Sequence, residues 1–303
     1  MIVISPWSKG GWVSSEVFDH TSLIQFIERR FGPSHPGIIE PNITPWRRAV
    51  AGDLTSAFDF RSPDRAVVSL PSTDTYAPPD RVPHTDYVPA LPAVQAVPVQ
   101  EPGVRPARPV PYRLNVVGRA DPSSHGVELR FSNAGAAAAV FQVRSGPRSG
   151  NLQAGPWTYT VGAGAEVSDV WALEAAAGSA YDLWVYGPNG FLRAFRGSPC
   201  GEDGADLEVE TTAAHPGRYE VALELRNRGK AERHVRIRDA YTHAVSAHRL
   251  EPGATLTRHW PLEASFGWYD LTIEVEGDSS FRRQLAGHLE TGEDSVSDPA
   301  LGA

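Results

Sequence analysis

The sequence predicts a mainly β protein with an α/β fragment, in which two small antiparallel β-sandwich repeats follow the fragment. Three observations carry this reading. Residues 206–290 repeat the pattern of residues 113–198. Both copies alternate apolar and polar positions, as half-buried strands do. Residues 1–66 mix a continuous apolar run with helical spacing instead. The 303 residues are enough for two or three domains at roughly 100–200 residues each.

Residues 1–66 come first. "MIVI" is a short apolar run, the pattern of a strand buried on both faces. "DHTSLIQFIERRFG" predicts a helix, with Asp19 or Thr21 as its N-terminal cap and Gly32 at its end. Leu23, Phe26, Ile27, Arg30 and Phe31 share one helical face, Arg30 through its aliphatic stem. "ITPWRRAVAG" predicts a second, shorter helix, capped by Thr44, opened by Pro45 and stopped by Gly52. This is a piece of an α/β domain, too small to bury a core of its own.

Residues 67–112 are proline-rich. Proline fixes φ and removes a backbone donor, so an extended strap is expected rather than helix or central strand. Tyr76, Tyr87, Val88, Leu91, Val94, Val97 and Val99 are more apolar than a solvated linker requires. The strap is expected to lie across a domain surface.

In the repeats, "GVELRFSNAG" parallels "EVALELRNRG", so Asn133 matches Asn227 and Gly135 matches Gly229. "GAEVSDVWAL" parallels "GATLTRHWPL", matching Trp171 to Trp260 as pillars of two cores. Tyr181-Asp182-Leu183 matches Tyr269-Asp270-Leu271. The polar tail, residues 291–303, is expected to be disordered.

Composition bounds the partners. A net charge of -8 weighs against non-specific binding to nucleic acid or anionic lipid. No apolar run reaches the roughly 18 residues of a membrane span. Met1 to Ile4 is too short for a signal peptide and lacks a basic leader, so the sequence as written reads as cytoplasmic. Cys200 is the only cysteine, in a loop-like "SPCGEDG", and reads as an incidental thiol.

Catalytic motifs are missing. The ten histidines are scattered, and no His-Glu-x-x-His, Gly-x-Ser-x-Gly, phosphate-binding loop or Cys/His metal spacing occurs. Asp19 and His20 form the best polar pair, where a loop enters a helix whose N-terminus favours anions. The plainer role is for Asp19 to cap the helix and His20 to bond locally. Gly10-Gly11 beside Lys9 either lets backbone amides approach a ligand or makes a turn. Trp7 and Trp12 either stack on a quaternary ammonium or anchor the loop. Arg47-Arg48 reads as a solvated helix face.

Three stretches carry a family resemblance: "VISPWSKGGWVSSEVFDHTSLIQFIERRFG", "EPNITPWRRAVAGDLTSAFDF" and "QEPGVRPARPVPY". Together they closely resemble the carboxyl-terminal part of secreted bacterial phospholipases C that prefer phosphatidylcholine and sphingomyelin. Those enzymes belong to a phosphoesterase family related to acid phosphatases. The two repeats look like that family's paired C-terminal domains.

The resemblance implies that residues 1–66 are the remnant of an alkaline-phosphatase-like α/β domain, with Asp19 and His20 on its pocket rim. Trp7 and Trp12 become candidates for substrate binding. The family's Glu-Asn and Asp-Glu metal-binding motifs and its hydroxyl nucleophile have no counterpart here. A divalent metal is implied for the intact family and none for this chain. The chain alone is therefore expected to be catalytically silent. Expected partners are a separately encoded N-terminal catalytic fragment and, in the intact secreted or periplasmic family, phospholipid. "MIVI", Leu23, Phe26, Phe31, Tyr76, Tyr87 and Leu91 are expected to pack on the catalytic body. The alternative is a non-catalytic module that binds lipid, a cell surface or that fragment. A weaker reading is an independent enzyme using His20.

Overall fold

A computed structural model describes residues 1–302 except 71, 92, 98, 100–101, 122–125, 149–154, 174–179, 199–205 and 214–218. Cys200 lies outside the described residues.

Helix α1 spans His20–Phe31 and α2 spans Pro45–Val50. Asp19 caps α1, accepting from the Thr21 amide, while the Ser22 hydroxyl accepts from the Asp19 amide. Gly32 ends α1 with right-handed φ (-54°), so its freedom at positive φ is not what stops the helix. Thr44 caps α2 and Pro45 fills its first turn, where a missing N–H costs nothing. Ala51, rather than Gly52, closes it. Gly52 answers to packing instead: a Cβ there would meet the Glu16 carboxylate at 2.1 Å.

Helix α1 leaves outward the apolar residues expected to pack on a catalytic body. Its buried residues are Thr21, Ser22, Gln25 and Glu28, whereas Leu23 is 57% exposed and Phe31 48%. The helix lays its polar face on the chain and turns its apolar face outward. Polar groups can line the inner contact because they are paired: Gln25 donates to the Ala51 carbonyl at 3.3 Å, and Arg48 donates twice to Glu28. "MIVI" is not a strand. It is irregular backbone, with Ile2 87% and Ile4 94% exposed. A strand forms only against neighbours that accept its ladder, and none stands beside this one among the described residues.

Among its described residues the strap forms only a short 3-10 turn, Asp74–Tyr76, before β1, Pro106–Ala107. Val88, Leu91, Val94, Val97 and Val99 are exposed, so the strap does not cover a described surface there. Within the tail expected to be disordered, Ser295–Val296 forms β16, which pairs antiparallel with β1. On the other side of β1, Val13 makes a parallel bridge to Ala107. The opening loop, strap end and tail thus meet in one small ladder.

The first repeat contains β2 (Leu114–Asp121), β3 (Gly126–Asn133), β4 (Ala139–Ser145), β5 (Trp157–Val161), β6 (Ala165–Ala172), β7 (Tyr181–Tyr186) and β8 (Leu192–Gly197). The second contains β9 (Leu207–Ala213), β10 (Glu220–Asn227), β11 (Arg233–Asp239), β12 (Val245–Leu250), β13 (Thr255–Pro261), β14 (Trp268–Val275) and β15 (Asp278–His288). Each repeat has a three-stranded sheet, β2-β3-β6 or β13-β10-β9. The other sheets join edge to edge through β8 and β15 into one sheet of eight strands, β12-β11-β14-β15-β8-β7-β4-β5. The repeats are sandwiches that share a sheet. The join removes two open edges that would otherwise invite pairing with other chains.

The repeat signature has a physical basis. Asn133 donates to the Ala137 and Val161 carbonyls and accepts from the Gly135 amide. Asn227 does the same with Ala231, Leu250 and Gly229. Each buried asparagine satisfies backbone groups where one strand turns toward the next. Trp171 pairs with Val127, and Trp260 with Val221, in equivalent registers. Trp171 is buried in the first core, while Trp260 packs at the border of the second and donates to Asp239 at 2.8 Å.

Candidate functional site

A cleft of 640 Å³ lies in the N-terminal region, walled by residues 1–6 and 8–12 of the opening loop, Phe18, Leu54, residues 64–66 and Arg108. Gly10 (φ +116°) and Gly11 (φ +70°) fold the loop back where other residues would be strained. Lys9 is tethered to Asp64 and the Ala66 carbonyl, which ties the loop to the far wall. Backbone bonds from Asp59 to Trp7 and from Asp64 to Pro6 complete the frame.

Arg108 is the centre of this wall. The Val13 carbonyl holds its backbone amide at 2.8 Å. Its guanidinium lies over the Trp12 ring at 3.7 Å from the centroid and reaches Asp294 at 3.5 Å. Its Nε and the Ser14 hydroxyl, both in the cleft wall, are buried without a hydrogen-bond partner. Unmet buried donors are costly, and these two present unused hydrogen-bonding capacity at one place. Neither was singled out by sequence reasoning. Arg108 sits within "QEPGVRPARPVPY", but nothing in its spacing marks it apart from neighbouring arginines.

The sequence-derived candidates separate. Trp12 lines the cleft, with its ring face occupied by the Arg108 cation rather than open. Trp7 stands outside it, beside Phe60 at 6.2 Å in a row of rings continuing through Phe58 to Phe26. Asp19 is engaged by Thr21 and Arg47, whose hydrogen bonds hold its carboxyl below the usual range, Thr21 first. His20 is exposed, and neither it nor Asp19 borders the cleft. Arg47 and Arg48 are not a solvated face: they bind Asp19 and Glu28. Arg48 draws the Glu28 carboxyl below its ordinary pKa. Burial pushes Glu16 upward, although the Ser56 hydroxyl donates to it.

Among the described residues, no group of three or more His, Cys, Asp or Glu is placed to hold a metal ion. The described residues of this chain do not by themselves assemble the divalent-metal site implied for the intact family. Among the described residues, no helix is long and apolar enough to cross a membrane.

Comparison with known proteins gives this architecture its class. Residues 106–198 and 205–288 each match the family model described as bacterial phospholipase C, C-terminal domain, and residues 1–33 match the phosphoesterase family. The chain belongs to the bacterial phospholipase C family. It is 48% identical over 303 residues to a non-hemolytic phospholipase C of Burkholderia pseudomallei, covering 99% of this chain and 42% of that protein. It is 41% identical to the non-hemolytic phospholipase C of Pseudomonas aeruginosa, covering all of this chain and 43% of that protein. It is 37% identical to the hemolytic phospholipase C of the same organism, covering 99% and 44%. The chain therefore spans less than half the length of these relatives.

Proposed function

We propose that this chain is the carboxyl-terminal segment of a phospholipase C that hydrolyses the phosphodiester of phosphatidylcholine or sphingomyelin, and that it is catalytically silent by itself. Hydrolysis splits the bond between phosphorus and the lipid oxygen, giving phosphocholine and an uncharged lipid alcohol. The observation that carries this reading is the outward apolar face of α1. The face lies within residues 1–33, the part that matches the phosphoesterase family rather than the C-terminal domain. Each apolar side chain it would bury contributes roughly 1.5–3 kcal/mol. The natural cover is a phosphoesterase body supplied as a separately encoded fragment or as a longer chain. The same body would meet Ser14 and Arg108, whose unmet donors face the cleft.

The test is hydrolysis of p-nitrophenylphosphorylcholine. The purified chain is expected to release no p-nitrophenol. Co-expression with an N-terminal phosphoesterase fragment from a relative is expected to yield a stable complex that does. Turnover by the chain alone, lost in His20→Ala, would overturn the reading and favour an independent enzyme.

A further inference from the structure

Beside the joint between the two repeats lies a second cleft, of 370 Å³, distant in sequence from the N-terminal loop. Its wall holds Arg193, which is 1% exposed. One end of the guanidinium donates to the Leu192 and Ala286 carbonyls, each at 2.9 Å. The other donates to the Tyr269 hydroxyl at 2.9 Å and lies 3.5 Å from the Thr211 hydroxyl. Its Nε is buried with no partner. Among the described residues no carboxylate pairs with it. The Glu290 carboxylate in the same wall is already engaged, by His288 at 2.9 Å and Asn189 at 2.7 Å.

A buried cation without a counter-ion is expensive. The repeat supplies an internal comparison. Arg283, on β15, is 4% exposed and donates to the Arg196 and Arg282 carbonyls and the Tyr181 hydroxyl. It makes the same kind of bonds. A structural role accounts for what the two arginines share. It does not account for a cavity at Arg193.

We propose that this cleft binds an anionic head group carried on an aliphatic chain. The head takes the charge of Arg193 and the proton that the Tyr269 hydroxyl still has to give after accepting from Arg193. The chain runs along Leu114, Phe191, Val221 and Leu289, which give the cleft an apolar lining of a size typical of small-ligand sites. The site is independent of the catalytic reading and needs no second fragment.

The test is calorimetric titration of the full chain with octanoate, octyl phosphate, octanol and inorganic phosphate. Saturable binding is expected for octanoate, octyl phosphate or both, with octanol and inorganic phosphate weaker by at least about ten-fold. Preference for octanoate identifies a free carboxylate as the natural head, and preference for octyl phosphate a phosphate ester. Arg193→Met is expected to abolish binding. Because that change also removes structural bonds, Ser132→Leu decides if it fails to fold: it fills the cleft from β3 and leaves Arg193 in place. Ser132→Leu, with an unchanged circular dichroism spectrum, is expected to weaken binding by at least about ten-fold. The proposal is overturned if neither anion binds saturably, if octanol matches octanoate, or if a folded Arg193→Met or Ser132→Leu binds as the parent does.

Discussion

The Arg283 guanidinium, on the last strand of the second repeat, donates to the Tyr181 hydroxyl of the first at 2.7 Å, inside the joint between them. Arg193 returns the arrangement by donating to Tyr269 at 2.9 Å. Each repeat thus lends a buried cation to a tyrosine of the other. Tyr181→Phe removes an acceptor and leaves a buried N–H unmet, which is expected to cost about 1–3 kcal/mol. Urea denaturation read by tryptophan fluorescence measures it. A change within error would mean that water replaces the hydroxyl.

The shared eight-stranded sheet makes the repeats one folding unit. Residues 113–290 are expected to unfold in a single transition, with calorimetric and van't Hoff enthalpies equal. A chain ending at residue 198 would expose the β8 edge and is expected to self-associate. Two separate transitions for 113–290 would contradict this coupling.

Acid should loosen α1 before the sheets. Arg48 holds the Glu28 pKa below its unfolded value, so this contribution is present above the ordinary glutamate range and lost as pH falls through the lowered folded value. Glu28→Gln removes that pH dependence and is expected to cost about 2 kcal/mol at neutral pH. Hydrogen exchange of the α1 amides from neutral pH down to about pH 3 is the measurement, since the pKa values involved are carboxylate values. Equal acid sensitivity in parent and variant would show that another group controls the helix.

The outward face of α1 should tolerate charge. Leu23→Glu with Ile27→Glu is expected to change stability by less than about 0.5 kcal/mol, because neither side chain is buried. The same pair should reduce binding of a hydrophobic dye and block assembly with a phosphoesterase fragment. A large loss of stability would mean that the face has a partner within the chain.

Local signals were legible where the chemistry is local. Thr44 and Pro45 open α2 as read, and Asn133 and Asn227 occupy matching turns. Periodicity found the apolar face of α1, and the resemblance supplied its outward direction: spacing tells which residues share a face, and tertiary pairing, here Arg48 with Glu28, decides which face is inward. The run at Met1 to Ile4 looked like a strand because its composition suits one. A strand also needs a ladder, which composition cannot supply. The joint at β8 and β15 was invisible because edge pairing depends on two segments far apart in sequence. Arg193 and Arg283 hide for a related reason. An arginine in an alternating strand looks like a solvent position until a strand two places away in the sheet presents a tyrosine. In the N-terminal cleft, Trp12 was legible as a ring, whereas the cation that covers it comes from the strap.

The small ladder joining Val13, β1 and β16 has a mechanical consequence. A force applied between residue 2 and residue 301 meets side-chain bonds from the tail to the second repeat, among them that of Tyr241 to Asp298. It also loads the few backbone bonds that hold Val13 and Ser297 to Pro106, Arg108 and Arg105. That clasp should rupture at low tension and release slack before either repeat yields, so the cleft beside Arg108 can be opened by a pull that leaves the eight-stranded sheet whole.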